Sequence, residues 1–161
     1  MKDERELPSR KNNRLCSYDY SNIGTYFVTV CTKNRQPVLW NSLVGAINDR
    51  PQIVLSEYGK IVDEAIHAIP CCYPAVLVEK YAIMPDHIHL LLRIVDTDGR
   101  SLIAPTISTV VRQLKGSVSK KCGASIWQKG FYDHIVRNSE DCEEIAVYIA
   151  NNPEKWIQKH C

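Results

Sequence analysis

The feature that most constrains the fold is a pair of strand-like runs, Ala75 to Ile83 (AVLVEKYAI) and His87 to Val95 (HIHLLLRIV), separated only by Met-Pro-Asp. So short a link leaves no room for a long crossover and is compatible with an antiparallel hairpin through the centre of a sheet. The first run partly alternates, whereas the second is almost continuously apolar, which predicts a central strand covered on both faces. An amphipathic stripe of Tyr58, Ile61, Val62, Ala65, Ile66 and Ile69 precedes the hairpin, and Ile107, Val110, Val111, Leu114 and Val118 form another after it. Both have helical spacing.

Around these elements the chain reads as strand, helix, strand, strand, helix, strand, helix. Thr25 to Thr32 (TYFVTVCT) is the first strand, followed by a polar turn, KNRQP. Val44 to Leu55 reads as a small additional hairpin. Ser56 can cap the first helix, which Pro70 is expected to end, and His67 lies off its apolar stripe as a surface residue. Pro105 opens the second helix, and Phe131 to Val136 reads as the last strand. The final helix starts near Asn138 or Ser139, where Glu140, Asp141, Glu143 and Glu144 complement its positive end, and Pro153 is expected to stop it near Asn152. The order predicts an α+β fold of the ferredoxin-like kind, an antiparallel sheet with helices packed on it.

With 161 residues, 45% hydrophobic and 24% charged, the chain suits one domain over residues 21–161, preceded by a basic arm over residues 1–20. No apolar run approaches the roughly 20 residues of a membrane span, and no apolar segment follows the charged N-terminus, so a cytoplasmic protein is expected. Seven cysteines with no C-x-x-C spacing read as reduced thiols, mostly small buried hydrophobes. Net charge is only +2, yet Arg100, Arg112, Lys115, Lys120, Lys121 and Lys129 fall between Gly99 and Tyr132 with no acid among them. This block is either a nucleic-acid footprint or a solvated helix face.

His87 and His89 are two apart on a strand, so both imidazoles project from one face while Ile88 projects from the other. They are either ligands for a divalent cation or hydrogen-bonded strand histidines, and Asp86 could orient one of them. Two ligands would leave positions open for a donor from another element. Tyr148 and Asn152, spaced i, i+4 on the last helix, share a face and could provide a nucleophile and that donor. Packing of Tyr148 beside Cys142, Ile145 and Ile149 is the plainer alternative. Tyr132 is a lesser nucleophile candidate, because no ligand-capable residue stands one turn from it.

RLCSYDYSNIGTYFVTVCTKNRQPVLW at 14–40, YAIMPDHIHLLL at 81–92 and IWQKGFYDHIVRNSEDCEEIAVYIANNPEKW at 126–156 together resemble the REP-associated tyrosine transposases of the HUH single-strand transposase superfamily. The resemblance implies a metal pair at His87 and His89, a nucleophile at Tyr148 and a third ligand at Asn152, where related insertion-sequence enzymes often carry Gln. It implies Mg²⁺ or Mn²⁺ as cofactor and cleavage of single-stranded, hairpin-forming DNA through a 5′-phosphotyrosine, by a monomer or a homodimer. DNA contacts are expected from Arg112, Lys115, Lys120 and Lys121, with His134 and Arg137 placing the DNA or the catalytic helix. Trp127 could stack on a base. Two other readings stay open: a non-catalytic nucleic-acid-binding domain in which Tyr26 and Phe27 stack bases, and a metal-dependent phosphohydrolase that uses water.

Overall fold

The computed structural model describes residues 23–47, 50–97 and 105–160. The basic arm, Arg100, Cys16 and Cys161 lie outside the described residues. Four strands, β1 (Gly24–Cys31), β4 (Val76–Ile83), β5 (His87–Ile94) and β6 (Tyr132–Val136), form one sheet in the order β4-β5-β1-β6. Every neighbouring pair is antiparallel. The hairpin therefore places β5 inside the sheet, as its apolar composition requires, and the ferredoxin-like architecture is present. A separate two-stranded sheet joins β2 (Trp40–Ile47) to β3 (Arg50–Leu55), a longer hairpin than the sequence indicates.

Alternation along β5 divides the sheet into two environments. Ile88, Leu90, Leu92 and Ile94 are fully buried and pack with Tyr26, Val28 and Val30 of β1. Onto this inner face fall α1 (Glu57–His67) through Val62, Ala65 and Ile66, and α3 (Ile107–Cys122) through Ile107, Val110, Val111, Leu114 and Val118. Burying five such side chains along one stripe is what holds a helix of moderate propensity in place.

Local chemistry sets the helix ends. Ser56 Oγ accepts from Gly59 N–H at 3.0 Å and caps α1. Gly59 has to be glycine, because a Cβ there would lie 2.1 Å from the Leu39 carbonyl oxygen. Thr106 Oγ1 caps α3 by accepting from Thr109 N–H, and Gly123 closes it in the left-handed conformation at φ 70°. Pro70 does not end α1, which stops at His67; it sits instead inside a second short helix, α2 (Ile69–Cys72), where a proline in the first turn loses no hydrogen bond.

Among the described elements, the other face carries one helix, α4 (Ser139–His160). Its Ile149 is fully buried against Leu91 and Ala82, with Phe27, Val136, Cys142, Ile145 and Ala146 around them. Contrary to expectation, Pro153 lies inside α4, which continues to His160. A proline there removes one N–H and crowds the preceding turn. Packing beyond it outweighs that penalty: Ile157 is buried, and the Trp156 ring meets Trp40 edge-on at 5.2 Å.

The described cysteines are free thiols, but none of them is buried, and Cys71 and Cys72 are exposed. The expectation of buried small hydrophobes fails because Cys71 and Cys72 end α2 on its solvent side. No described helix is long and apolar enough to cross a membrane.

Candidate functional site

β5 starts immediately after the Met84-Pro85-Asp86 turn, which Met84 closes by donating its N–H to the His87 carbonyl at 2.8 Å. His87 and His89 thus stand at the strand's first and third positions, on the face that carries α4. Both are anchored through Nδ1. His87 Nδ1 lies 2.6 Å from Asp86 Oδ1, and His89 Nδ1 lies 2.9 Å from Thr29 Oγ1 on the adjacent strand, where register sets Thr29 opposite His89. The remaining nitrogens converge, with the two Nε2 atoms 3.1 Å apart.

A carboxylate beside Nδ1 of His87 takes the ring proton there and leaves Nε2 as a lone-pair donor. The Thr29 hydroxyl can donate or accept, so His89 can present either a protonated or a bare Nε2. With bare nitrogens, two ligands each about 2.1 Å from a cation and at right angles to one another would be about 3.0 Å apart. The observed separation fits a cation held by both rings, and it equally fits a hydrogen bond between the rings when His89 carries its proton on Nε2.

Burial keeps the pair uncharged. Burial above all pushes His89 down to about 3, and the neighbouring His87 and Arg35 push the same way against Asp86. His87 is also lowered by burial, although contact with Asp86 opposes it. Neutral imidazole is the form that binds metal.

Behind Asp86 stands Arg35, whose Nε is 3.1 Å from Asp86 Oδ2 and whose Nη1 donates to Cys31 Sγ at 2.7 Å. It belongs to a 3-10 turn, Lys33–Arg35, in which Asn34 and Arg35 adopt φ of 54° and 55°. Left-handed backbone costs a non-glycine residue on the order of 1 kcal/mol. The surroundings impose it. Buried Thr32 donates its N–H to the Asp86 carbonyl and shares its hydroxyl proton between the Gln36 and Asp86 carbonyls, and Leu39 N–H donates to the Pro85 carbonyl, clasping this loop to the turn ahead of the histidines.

Tyr148 reaches the pair from α4. Its ring is 5.4 Å from His89 and 6.1 Å, edge-on, from Phe27, while 47% of the residue remains exposed. Asn152, half-buried, lies one turn further along the same helix face. No three His, Cys, Asp or Glu side chains among the described residues form a metal cluster.

The remaining candidates are distributed differently. His134 Nε2 lies 3.2 Å from Asp141 Oδ2, which also accepts from the Arg137 N–H at 3.3 Å, and this contact with His134 holds the Asp141 carboxyl below its usual range. Together with Asn138, which accepts from the Asp141 N–H, they fasten β6 to the start of α4. Arg112, Lys120 and Lys121 are exposed on α3, behind the sheet, and Lys121 is 3.3 Å from Glu64. Lys115 is committed to the carbonyls of Gln128 and Gly130, and burial lowers its pKa.

Two stacking expectations fail. Tyr26 is fully buried in the core, because adjacent strand residues face opposite sides and only Phe27 can share the open face. Trp127 is buried at 6% exposure where its segment bridges to Thr32. Thr29, Arg35 and Phe27 are the site residues that sequence reading missed in these roles. Register and the loop clasp bring them in, and neither leaves a local signal.

The fold is thus a ferredoxin-like antiparallel sheet with paired histidines on an inner strand and a tyrosine on the covering helix. A family model described as "Transposase IS200 like" matches residues 21–152, and the chain belongs to that family of transposases. An uncharacterized protein of Haemophilus influenzae is 30% identical, with 92% of this chain and 91% of that protein covered. The REP-associated tyrosine transposase of Escherichia coli is 26% identical, over 84% of this chain and 71% of the relative. A solved REP-associated tyrosine transposase bound to a REP hairpin superposes with a TM-score of 0.65 at 23% identity, covering 88% of this chain and 73% of that one.

Proposed function

We propose that the protein cleaves and rejoins single-stranded DNA at hairpin-forming sequences, with Tyr148 as nucleophile. The observation that carries this reading is the approach of the Tyr148 ring to His89, whose Nε2 converges with that of His87 within the same chain. In the reaction the phenolate oxygen forms a bond to the scissile phosphorus, and the bond from phosphorus to the 3′ oxygen breaks. The 3′ oxygen leaves with a proton, and the 5′ phosphate stays on tyrosine. The diester's energy is retained in that linkage, so attack by a second 3′-hydroxyl rejoins strands without a nucleotide cofactor. His87, His89 and Asn152 would hold Mg²⁺ or Mn²⁺, which supplies charge neutralisation at the scissile phosphate.

Asp86 and Thr29 orient the rings through Nδ1, and Phe27 meets the Tyr148 ring edge-on. Arg112, Lys120 and Lys121 contribute to DNA binding away from the cut, Lys115 braces the loop at Gln128 and Gly130 in place of a DNA contact, and His134 and Arg137 position α4. Because one chain carries every group named, a monomer suffices.

Incubation with a hairpin-bearing oligonucleotide tests the reading. Wild type forms a protein-DNA adduct that survives denaturant, and Tyr148→Phe forms none. Cleavage with no adduct in either protein would favour a hydrolase using water, and chelator-insensitive binding with no cleavage would favour a binding module.

A further inference from the structure

Arg112, Lys115, Lys120 and Lys121 stand on α3, across the sheet from the histidines, so a cation directly beside His87 has to come from another element. We propose that Arg35 is that cation and contacts a phosphate of the strand lying against His87 and His89; the proposal rests on the DNA-cleaving reading of the site.

Three observations carry it. First, the guanidinium is aimed: Nε on Asp86 and Nη1 on Cys31 hold its plane beside His87, which register sets opposite Cys31. Secondly, the anchoring is incomplete. The side chain is 51% exposed, and its contacts with Asp86 and Cys31 do not use all five guanidinium N–H groups, which leaves donors for the fork geometry in which arginine binds phosphate oxygens. Thirdly, the turn that presents it is held in left-handed backbone at two successive non-glycine residues by the Thr32 and Leu39 clasps. Such conformations persist where the surroundings fix a residue in one place. Arg35 and the histidines are also linked through Asp86, so a phosphate on the exposed edge would lie within one carboxylate of the metal pair.

Binding of a single-stranded hairpin oligonucleotide to the Tyr148→Phe protein, in chelator and across a salt series, tests this without chemistry or metal. Arg35→Gln is expected to weaken binding by about 5- to 10-fold at 0.1 M salt and to reduce the slope of log affinity against log salt by about 0.7, the value for one lost single-strand phosphate contact. Arg35→Lys, which keeps the charge, should restore the slope. An unchanged affinity for Arg35→Gln, or a weaker one with the wild-type slope, overturns the proposal, the latter marking a purely structural arginine. A parent protein that binds no DNA would instead overturn the functional reading itself.

Discussion

The two faces of the sheet are built from the same strands and do opposite things. On the inner face, Ile88, Leu90 and Leu92 are sealed beneath α1 and α3, with no polar residue of β5 among them. On the outer face the alternate residues include His87 and His89, and among the described elements α4 covers them, leaving Tyr148 half in solvent. A period of two lets one strand supply a core and a site together, provided that the second face is only partly roofed. Stability is concentrated on one side and chemistry on the other.

That division makes substitutions on the two faces behave differently. The largest contrast is between Tyr148→Phe, which should abolish the covalent adduct while leaving the melting temperature within about 2 °C because only an exposed hydroxyl is lost, and its inner-face counterpart Leu90→Ala. The latter should lower stability by about 2–5 kcal/mol in denaturant titrations, the usual result of a cavity at a fully buried leucine. Equal stability losses for the two would erase the distinction.

Asp86→Asn sharpens the outer face itself. Asparagine keeps the shape but no longer fixes the proton on His87 Nδ1, so divalent-ion affinity measured by calorimetry should fall about 10- to 100-fold. An unaltered affinity would mean that Asp86 serves the loop clasp alone.

The smallest effect concerns pH. In the folded protein both histidines titrate below their ordinary value of 6.5, His89 at about 3, so between these limits the unfolded chain takes up a proton that the folded one refuses. Their contribution is complete above pH 6.5 and shrinks as pH falls towards 3. The melting temperature of wild type should therefore drop more steeply from pH 7 to 4 than that of His89→Asn; parallel curves would contradict the assigned burial.

Much of this was legible beforehand, and the reasons differ by element. The link of three residues pointed to the β4-β5 hairpin, and its apolar run put β5 inside the sheet. The i, i+4 pair Tyr148 and Asn152 correctly shared a helix face. What failed was whatever tertiary contact decides. Pro153 reads as a stop, but Trp40 and Ile157 fix the helix beyond it. Tyr26 and Phe27 looked equivalent for stacking until pairing assigned them to opposite faces. The basic block reads as a displayed surface with no stated side, and only the packing of the Val110 and Leu114 stripe on the inner face puts the α3 cations across the sheet from the histidines. Arg35 sits in an unremarkable polar turn, and only its clasp to Asp86 across some fifty residues gives it a role.

The central claim is that Tyr148 becomes bonded to DNA beside a His-held divalent ion. Wild-type protein reacted with a hairpin oligonucleotide in Mg²⁺ or Mn²⁺, digested with trypsin and read by mass spectrometry, tests it most directly. The account predicts a nucleotide-bearing peptide modified at Tyr148 and absent when chelator is added before the DNA. Modification at Tyr132 in place of Tyr148, or a cut oligonucleotide with no modified peptide, would contradict it.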